Sequence, residues 1–183
     1  MRRIMVDIET LSTHTSNSIV LSVGAAEFWL DDPEPGMSPG REWVLPIGPQ
    51  IALGREISQD TLNFWKKQPR EAIAAWAEAK TTNIEDFLYA FKAFIEGTGL
   101  GYELWVHGVC FDMGNIEGLY QQHGAKAPWP YNCVRDARTI YRLFPAMRPA
   151  PDWRDSSLIP HTPLSDCAAQ VQDLWERDLI FPK

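Results

Sequence analysis

Residues 3–9, Arg-Ile-Met-Val-Asp-Ile-Glu, alternate so strictly that Ile4, Val6 and Ile8 share one face of an extended strand while Met5, Asp7 and Glu9 share the other. The apolar face needs a layer that buries it. The opposite face carries two acids about 6–7 Å apart along the strand, close enough for one cation to bridge them. Ser18–Leu30 is a second apolar, β-branched run, and a Pro- and Gly-rich turn over 31–41 leads to a third at Glu42–Ile47. Three strands in succession with short links predict an antiparallel meander.

The pattern then turns helical. Ser58–Lys67, Pro69–Ala79 and Asn83–Ile95 space their apolar residues by three and four, as with Phe87, Phe91, Phe94 and Ile95, and Ser58 and Asn83 stand where N-caps belong. Glu103–Cys110 reads as a fourth strand, Asp112–Gln122 as a helix that Gly124 ends, Tyr131–Val134 as a fifth strand and Asp136–Phe144 as another helix. Four prolines between Pro145 and Pro160 mark a long irregular loop. Thr162 at the N-cap and Pro163 at the first helical position open a last helix to about Arg177. Strands reached through helices run parallel to the first, so the expectation is an α/β fold with a mixed five-stranded sheet, a three-strand meander plus two parallel strands, flanked by helices.

A chain of 183 residues with 45% hydrophobic and 22% charged residues suits one compact domain over residues 1–183 and excludes disordered or fibrous classes. No window is apolar enough for a bilayer span, and Asp7 and Glu9 interrupt the run that would have to follow Met1-Arg2-Arg3 in a signal peptide. Cys110, Cys133 and Cys167 form an odd set without Cys-x-x-Cys spacing, which points to a reducing, cytoplasmic setting. The net charge of -7 repels a nucleic-acid backbone unless basic patches or carboxylate-held divalent ions reverse the sign locally.

Taken one at a time, the candidate residues also have plain readings. Asp7 and Glu9 suit a solvated edge strand, and Asp112 suits a helix cap at the carboxyl end of a strand, where open α/β sheets also place their sites. Asp166 suits a helix-dipole acid and His161 a surface loop. Asp136 reads better as a cap than as a fifth site acid, and His14, His107 and His123 read as structural or exposed.

Together, Asp7-Ile8-Glu9-Thr10, Phe111-Asp112 and His161-x-x-x-x-Asp166 resemble, in order and spacing, the three motifs of the DEDDh (DnaQ-like) 3′-to-5′ exonuclease superfamily. The resemblance spans the chain and is strongest to the small phage exodeoxyribonuclease A-like and mycobacterial exoribonuclease-like branch, to whose accessory segments Thr61–Trp65 with Gln68 and Arg135–Thr139 are similar. It implies a ribonuclease H-like fold, metal-binding Asp7, Glu9, Asp112 and Asp166, and His161 as general base. It also places Leu11 at a wedge against the terminal base. Gly108 departs from the Asn of many relatives, and Pro163 from a usual small residue.

The chemistry agrees with that assignment. Clustered carboxylates suit hard Mg²⁺ or Mn²⁺, and two such ions can clamp the attacking and leaving oxygens of a phosphodiester. A histidine can take the proton from the attacking water. Thr10, Leu11, Trp65, Gln68 and Arg138 are the expected substrate contacts, Trp65 and Trp153 the expected stacking rings, and Lys66, Lys67, Arg70, Arg135 and Arg142 further phosphate candidates. The expected activity is a metal-dependent 3′-to-5′ exonuclease on single-stranded DNA or RNA ends that releases nucleoside 5′-monophosphates. The alternatives are an oligoribonuclease-like enzyme on short RNA and a non-catalytic nucleic-acid-binding module. No membrane partner is expected, and a homodimer is left open.

Overall fold

The computed structural model describes residues 1–30, 36–97, 101–147 and 158–177. In chain order these form β1 (Arg2–Thr10), β2 (Val20–Trp29), β3 (Gly36–Met37), β4 (Arg41–Val44), α1 (Ile47–Ala52), α2 (Gln59–Trp65), α3 (Arg70–Ala77), α4 (Ile84–Glu96), β5 (Tyr102–Val106), α5 (Val109–Gln122), a 3₁₀ turn (Tyr131–Cys133), β6 (Val134–Asp136), α6 (Ala137–Leu143) and α7 (Pro163–Trp175). The strands make one mixed sheet in the order β3-β2-β1-β5-β6, with β4 also on β2. β1, β2 and β4 run antiparallel as the expected meander, and β5 and β6 run parallel to β1.

The alternation in β1 sorts two cores. Ile4, Val6 and Ile8, joined by Val23, Ala25, Leu104 and Val106, bury against Phe87, Phe91 and Ile95 of α4 and Met113, Ile116 and Leu119 of α5. Trp43 closes this layer edge-on to Phe87 and Phe91, with centroids 5.6 and 6.0 Å away. Each such side chain contributes about 1.5–3 kcal/mol on full burial, so the hydrophobic stripe of α4 alone fixes that helix on the sheet. On the opposite face Met5, Phe28 and Trp105 meet Ala137 of α6 and Cys167, Val171 and Leu174 of α7. A third cluster, Leu11, Ile19, Leu21, Trp65 and Ala72, lies under α2 and α3.

Several sequence expectations shift. The fourth strand ends at Val106, because Gly108 caps α5 and Val109-Cys110-Phe111 are already helical; an apolar run of that length reads the same in either state. The expected strand at Tyr131–Val134 is the 3₁₀ turn followed by β6. α1 went unforeseen because Gly48-Pro49 reads as a turn, yet Pro49 lies in the first helical turn, where its missing N–H has no partner to lose. The caps fall where expected: Ser58 Oγ accepts from the Thr61 N–H and Asn83 Oδ1 from the Glu85 N–H. Residues 31–35 of the expected turn and 148–157 of the proline-rich loop, with Trp153, lie outside the described residues. Among the described residues no helix is long and apolar enough to cross a membrane.

Candidate active site

Asp7 and Glu9 leave β1 on the face that α7 covers, with Gly24 of β2 opposite Asp7 and Ser22 opposite Glu9. Gly24 is a requirement of the packing. A Cβ there would stand 2.7 Å from Pro163 Cβ and 2.9 Å from the Leu164 nitrogen, so only glycine lets the first turn of α7 press against the sheet beside the two acids. A bulge between Glu9 and Thr10 ends the regular pairing just past the acids and re-aims the chain.

α7 starts as predicted, with Thr162 at the N-cap and Pro163 in the first turn, although the Thr162 hydroxyl donates to the Ile159 carbonyl instead of capping. Asp166 sits in the first turn, and its carboxylate accepts from the His161 backbone N–H. His161 has φ of +63°, the one non-glycine residue in the left-handed region among the described residues. That conformation costs about 1–3 kcal/mol and persists where the surroundings hold it. Here the surroundings include Phe64 and Trp65, edge-on to the imidazole with centroids 5.0 and 6.2 Å away.

Asp112 arrives from the other layer, at the carboxyl end of β5. It is not the cap of α5. It lies in the first turn, 5% exposed, and its Oδ2 accepts the Gly108 N–H at 2.8 Å. Asp136 has the structural role instead: it caps α6 through the Thr139 N–H and accepts the Val109 N–H, tying α6 to the start of α5. A side chain at Gly108 would begin 3.5 Å from the Arg138 guanidinium, which places that exposed cation beside Asp112.

Electrostatics report the convergence. Burial holds Asp7 well above the usual carboxylate range, and Asp112, Asp166 and Glu9 push it further in that order, with the Gln170 amide opposing. Glu9 is pushed up to about 8, first by burial and then by Asp166, with smaller contributions from Asp112 and Glu42. Burial raises Asp112 to about 7 against the Gly108 N–H and Arg138. Asp166 is also raised by burial, against the pull of His161. Four acids from β1, α5 and α7 therefore share one poorly hydrated place. Ligand atoms of Glu9, His161 and Asp166 lie within 4.8 Å of one another. An oxygen-rich set starved of counter-charge fits a hard divalent cation such as Mg²⁺ or Mn²⁺.

Beside Glu9 opens a cavity of about 320 Å³ lined by Glu9, Thr10, Ser12, Thr13, Asp60, Thr61, Phe64 and Trp65. Trp65 is its wall, not an open stacking ring: it is 4% exposed, and its indole N–H donates to the Thr10 carbonyl at 2.9 Å. The exposed ring is its neighbour Phe64, at 41%, which sequence reasoning passed over although it stands in the Thr61–Trp65 segment. Leu11 is buried against Ile19, Leu21 and Trp65, so it offers no wedge in this conformation. Half-buried Gln68 closes the end of α2 by donating to the Phe64 carbonyl. Lys66, Lys67, Arg70 and Arg142 are exposed, while Arg135 is committed to Glu103 at 2.9 Å on β5. Gln170, also passed over, donates to Asp7 Oδ1 at 2.7 Å.

The fold is similar to that of exonuclease I. One such structure, described as suggesting how processivity is achieved, aligns with a TM-score of 0.67 at 14% identity over 96% of this chain and 40% of that one. E. coli exonuclease I in complex with a dT13 oligonucleotide aligns at 0.66 and 15% over 95% and 40%. A product-bound exonuclease I aligns at 0.63 and 13% over 96% and 42%. The chain thus spans about 40% of the length of these structures, and at such identities the likeness is one of fold. A comparison with curated protein sequences returns no match. The mixed sheet flanked by helices is the ribonuclease H-like fold that exonuclease I shares. The model of the Rv2179c-like 3′-5′ exoribonuclease domain matches residues 2–176, and the chain belongs to that family, as the three motifs led us to expect.

Proposed function

We propose that this chain, as one exonuclease domain, hydrolyses phosphodiester bonds stepwise from the 3′ ends of single-stranded nucleic acid and releases nucleoside 5′-monophosphates. The observation that carries this reading is the convergence of Asp7, Glu9, Asp112 and Asp166, with the His161 imidazole within 4.8 Å of the Glu9 and Asp166 ligand atoms. Asp7, Glu9, Asp112 and Asp166 would hold the cations. Two bound Mg²⁺ or Mn²⁺ ions supply charge neutralisation and Lewis acidity for an in-line displacement by water.

The chain's own residues do the rest. His161 takes the proton of the attacking water at a ring nitrogen, a role typically worth about 10²–10⁴ in rate. The cavity beside Glu9 lies within the range of small-ligand sites, roughly 300–1,000 Å³, and seats the terminal nucleoside with Phe64 against its base. Arg138, exposed beside Asp112, meets the phosphate. The family's description as an exoribonuclease domain favours RNA ends. The test is a gel of 3′-labelled and 5′-labelled single-stranded RNA and DNA ladders with Mg²⁺, Mn²⁺ or EDTA. Stepwise shortening of the 5′-labelled strand and immediate mononucleotide release from the 3′-labelled one, both abolished by EDTA, are expected. Internal cuts, or digestion indifferent to EDTA, would overturn the reading.

A further inference from the structure

Gln170 lies one helical turn beyond Asp166 on α7, so the two side chains share a helix face. It is 6% exposed, its Nε2 donates to Asp7 Oδ1 at 2.7 Å, and its buried Oε1 has no hydrogen-bond partner among the described residues. A half-satisfied buried amide is a poor packing choice where Leu or Met would fill similar space without a polar cost. What the amide adds is a directional bond to a carboxylate, which can only accept when ionised. That bond runs between β1 and the helix that carries Asp166, so it sets the separation of two acids that come from different elements.

We propose that Gln170 is a positioning residue of the cation site, clamping Asp7 of β1 to α7, the helix that carries Asp166, so that the Asp7 carboxylate is already held in place in the free protein. The proposal rests on the reading of the four acids as cation ligands. Docking of α7 itself does not depend on the clamp: Val171 and Leu174 are in the core, the Tyr141 hydroxyl donates to the Gln170 carbonyl at 3.0 Å, and Pro163 rests over Gly24. Removing the amide therefore loosens Asp7 and leaves the helix in place.

The test is calorimetric titration of the full chain with Mn²⁺, in the wild type, Gln170→Leu and Gln170→Met, alongside thermal unfolding in EDTA and steady-state hydrolysis. Mn²⁺ affinity is expected to fall about 10-fold or more, the range typical of groups that orient metal ligands. The EDTA melting temperature is expected to hold or rise. The rate constant kcat should fall at fixed Mn²⁺ and recover as Mn²⁺ is raised, with KM for the oligonucleotide unchanged. Should Gln170→Leu fail to fold, Gln170→Met carries the same measurements. Folded variants that bind Mn²⁺ within twofold of the wild type would overturn the clamp alone. A wild type that takes up no Mn²⁺ would instead overturn the cation site, and the clamp with it.

Discussion

Replacing Asp112 by Asn removes one ionisable group from the cluster at almost no change of shape. The Asn carbonyl oxygen can still accept the Gly108 N–H that Asp112 Oδ2 accepts at 2.8 Å. Burial moves the Asp112 carboxyl from 3.8 to about 7, and at about 1.4 kcal/mol per pH unit the ionised form opposes folding by on the order of 4 kcal/mol. The folded chain binds this proton more tightly than the unfolded chain. The resulting stability is complete below the unfolded value near 4 and is lost as pH climbs through about 7. In EDTA at about pH 8, Asp112→Asn is therefore expected to melt above the wild type. At about 2–4 °C per kcal/mol for a chain of this size, and with some relaxation of the site, the gain reaches up to about 10 °C. Near pH 4 the two should melt together. Mn²⁺ should raise the wild-type melting temperature and leave the variant nearly unmoved, and the variant should no longer hydrolyse substrate. Circular-dichroism melts over that pH range, with EDTA or Mn²⁺, and a turnover assay provide the check. Equal melting at pH 8 in EDTA, an equal Mn²⁺ shift, or near-normal turnover would each refute the reasoning.

Two further substitutions test separate parts of the site. His161→Ala should lower the hydrolysis rate about 10²-fold or more at neutral pH while the fold is kept; an unchanged rate in a single-turnover assay would assign proton removal to another group. Gly24→Ala puts a methyl group where Pro163 Cβ would lie 2.7 Å away, so it should displace the start of α7. Urea titration should show a loss of about 1–3 kcal/mol, the usual scale for overpacking, and turnover should fall with it. Wild-type stability and rate in that variant would show that α7 does not press on the sheet at this point.

Much of the layout was legible locally, because alternation and helical spacing are properties of neighbouring residues. Arg3–Glu9 announces a strand with two acids on one face, Ser58 and Asn83 announce helix starts, and Thr162-Pro163 announces the last helix. The resemblance of the three motifs to a known exonuclease superfamily singled out their acids and His161 as the expected site. Other features depend on contacts between residues far apart in the chain, which no local pattern encodes. Trp65 is buried and Phe64 exposed only because of how α2 leans on β1, and Leu11 lies in a core that Ile19, Leu21 and Ala72 complete. Arg135 and Arg138 look alike in sequence, yet one is tied to Glu103 and the other lies over Gly108. Gln170 is an ordinary helix residue until folding brings it 2.7 Å from an acid 163 positions earlier. Local sterics and hydropathy set which elements form, while the closeness of four like charges, and the burial that raises their proton affinity, exist only once distant elements pack together.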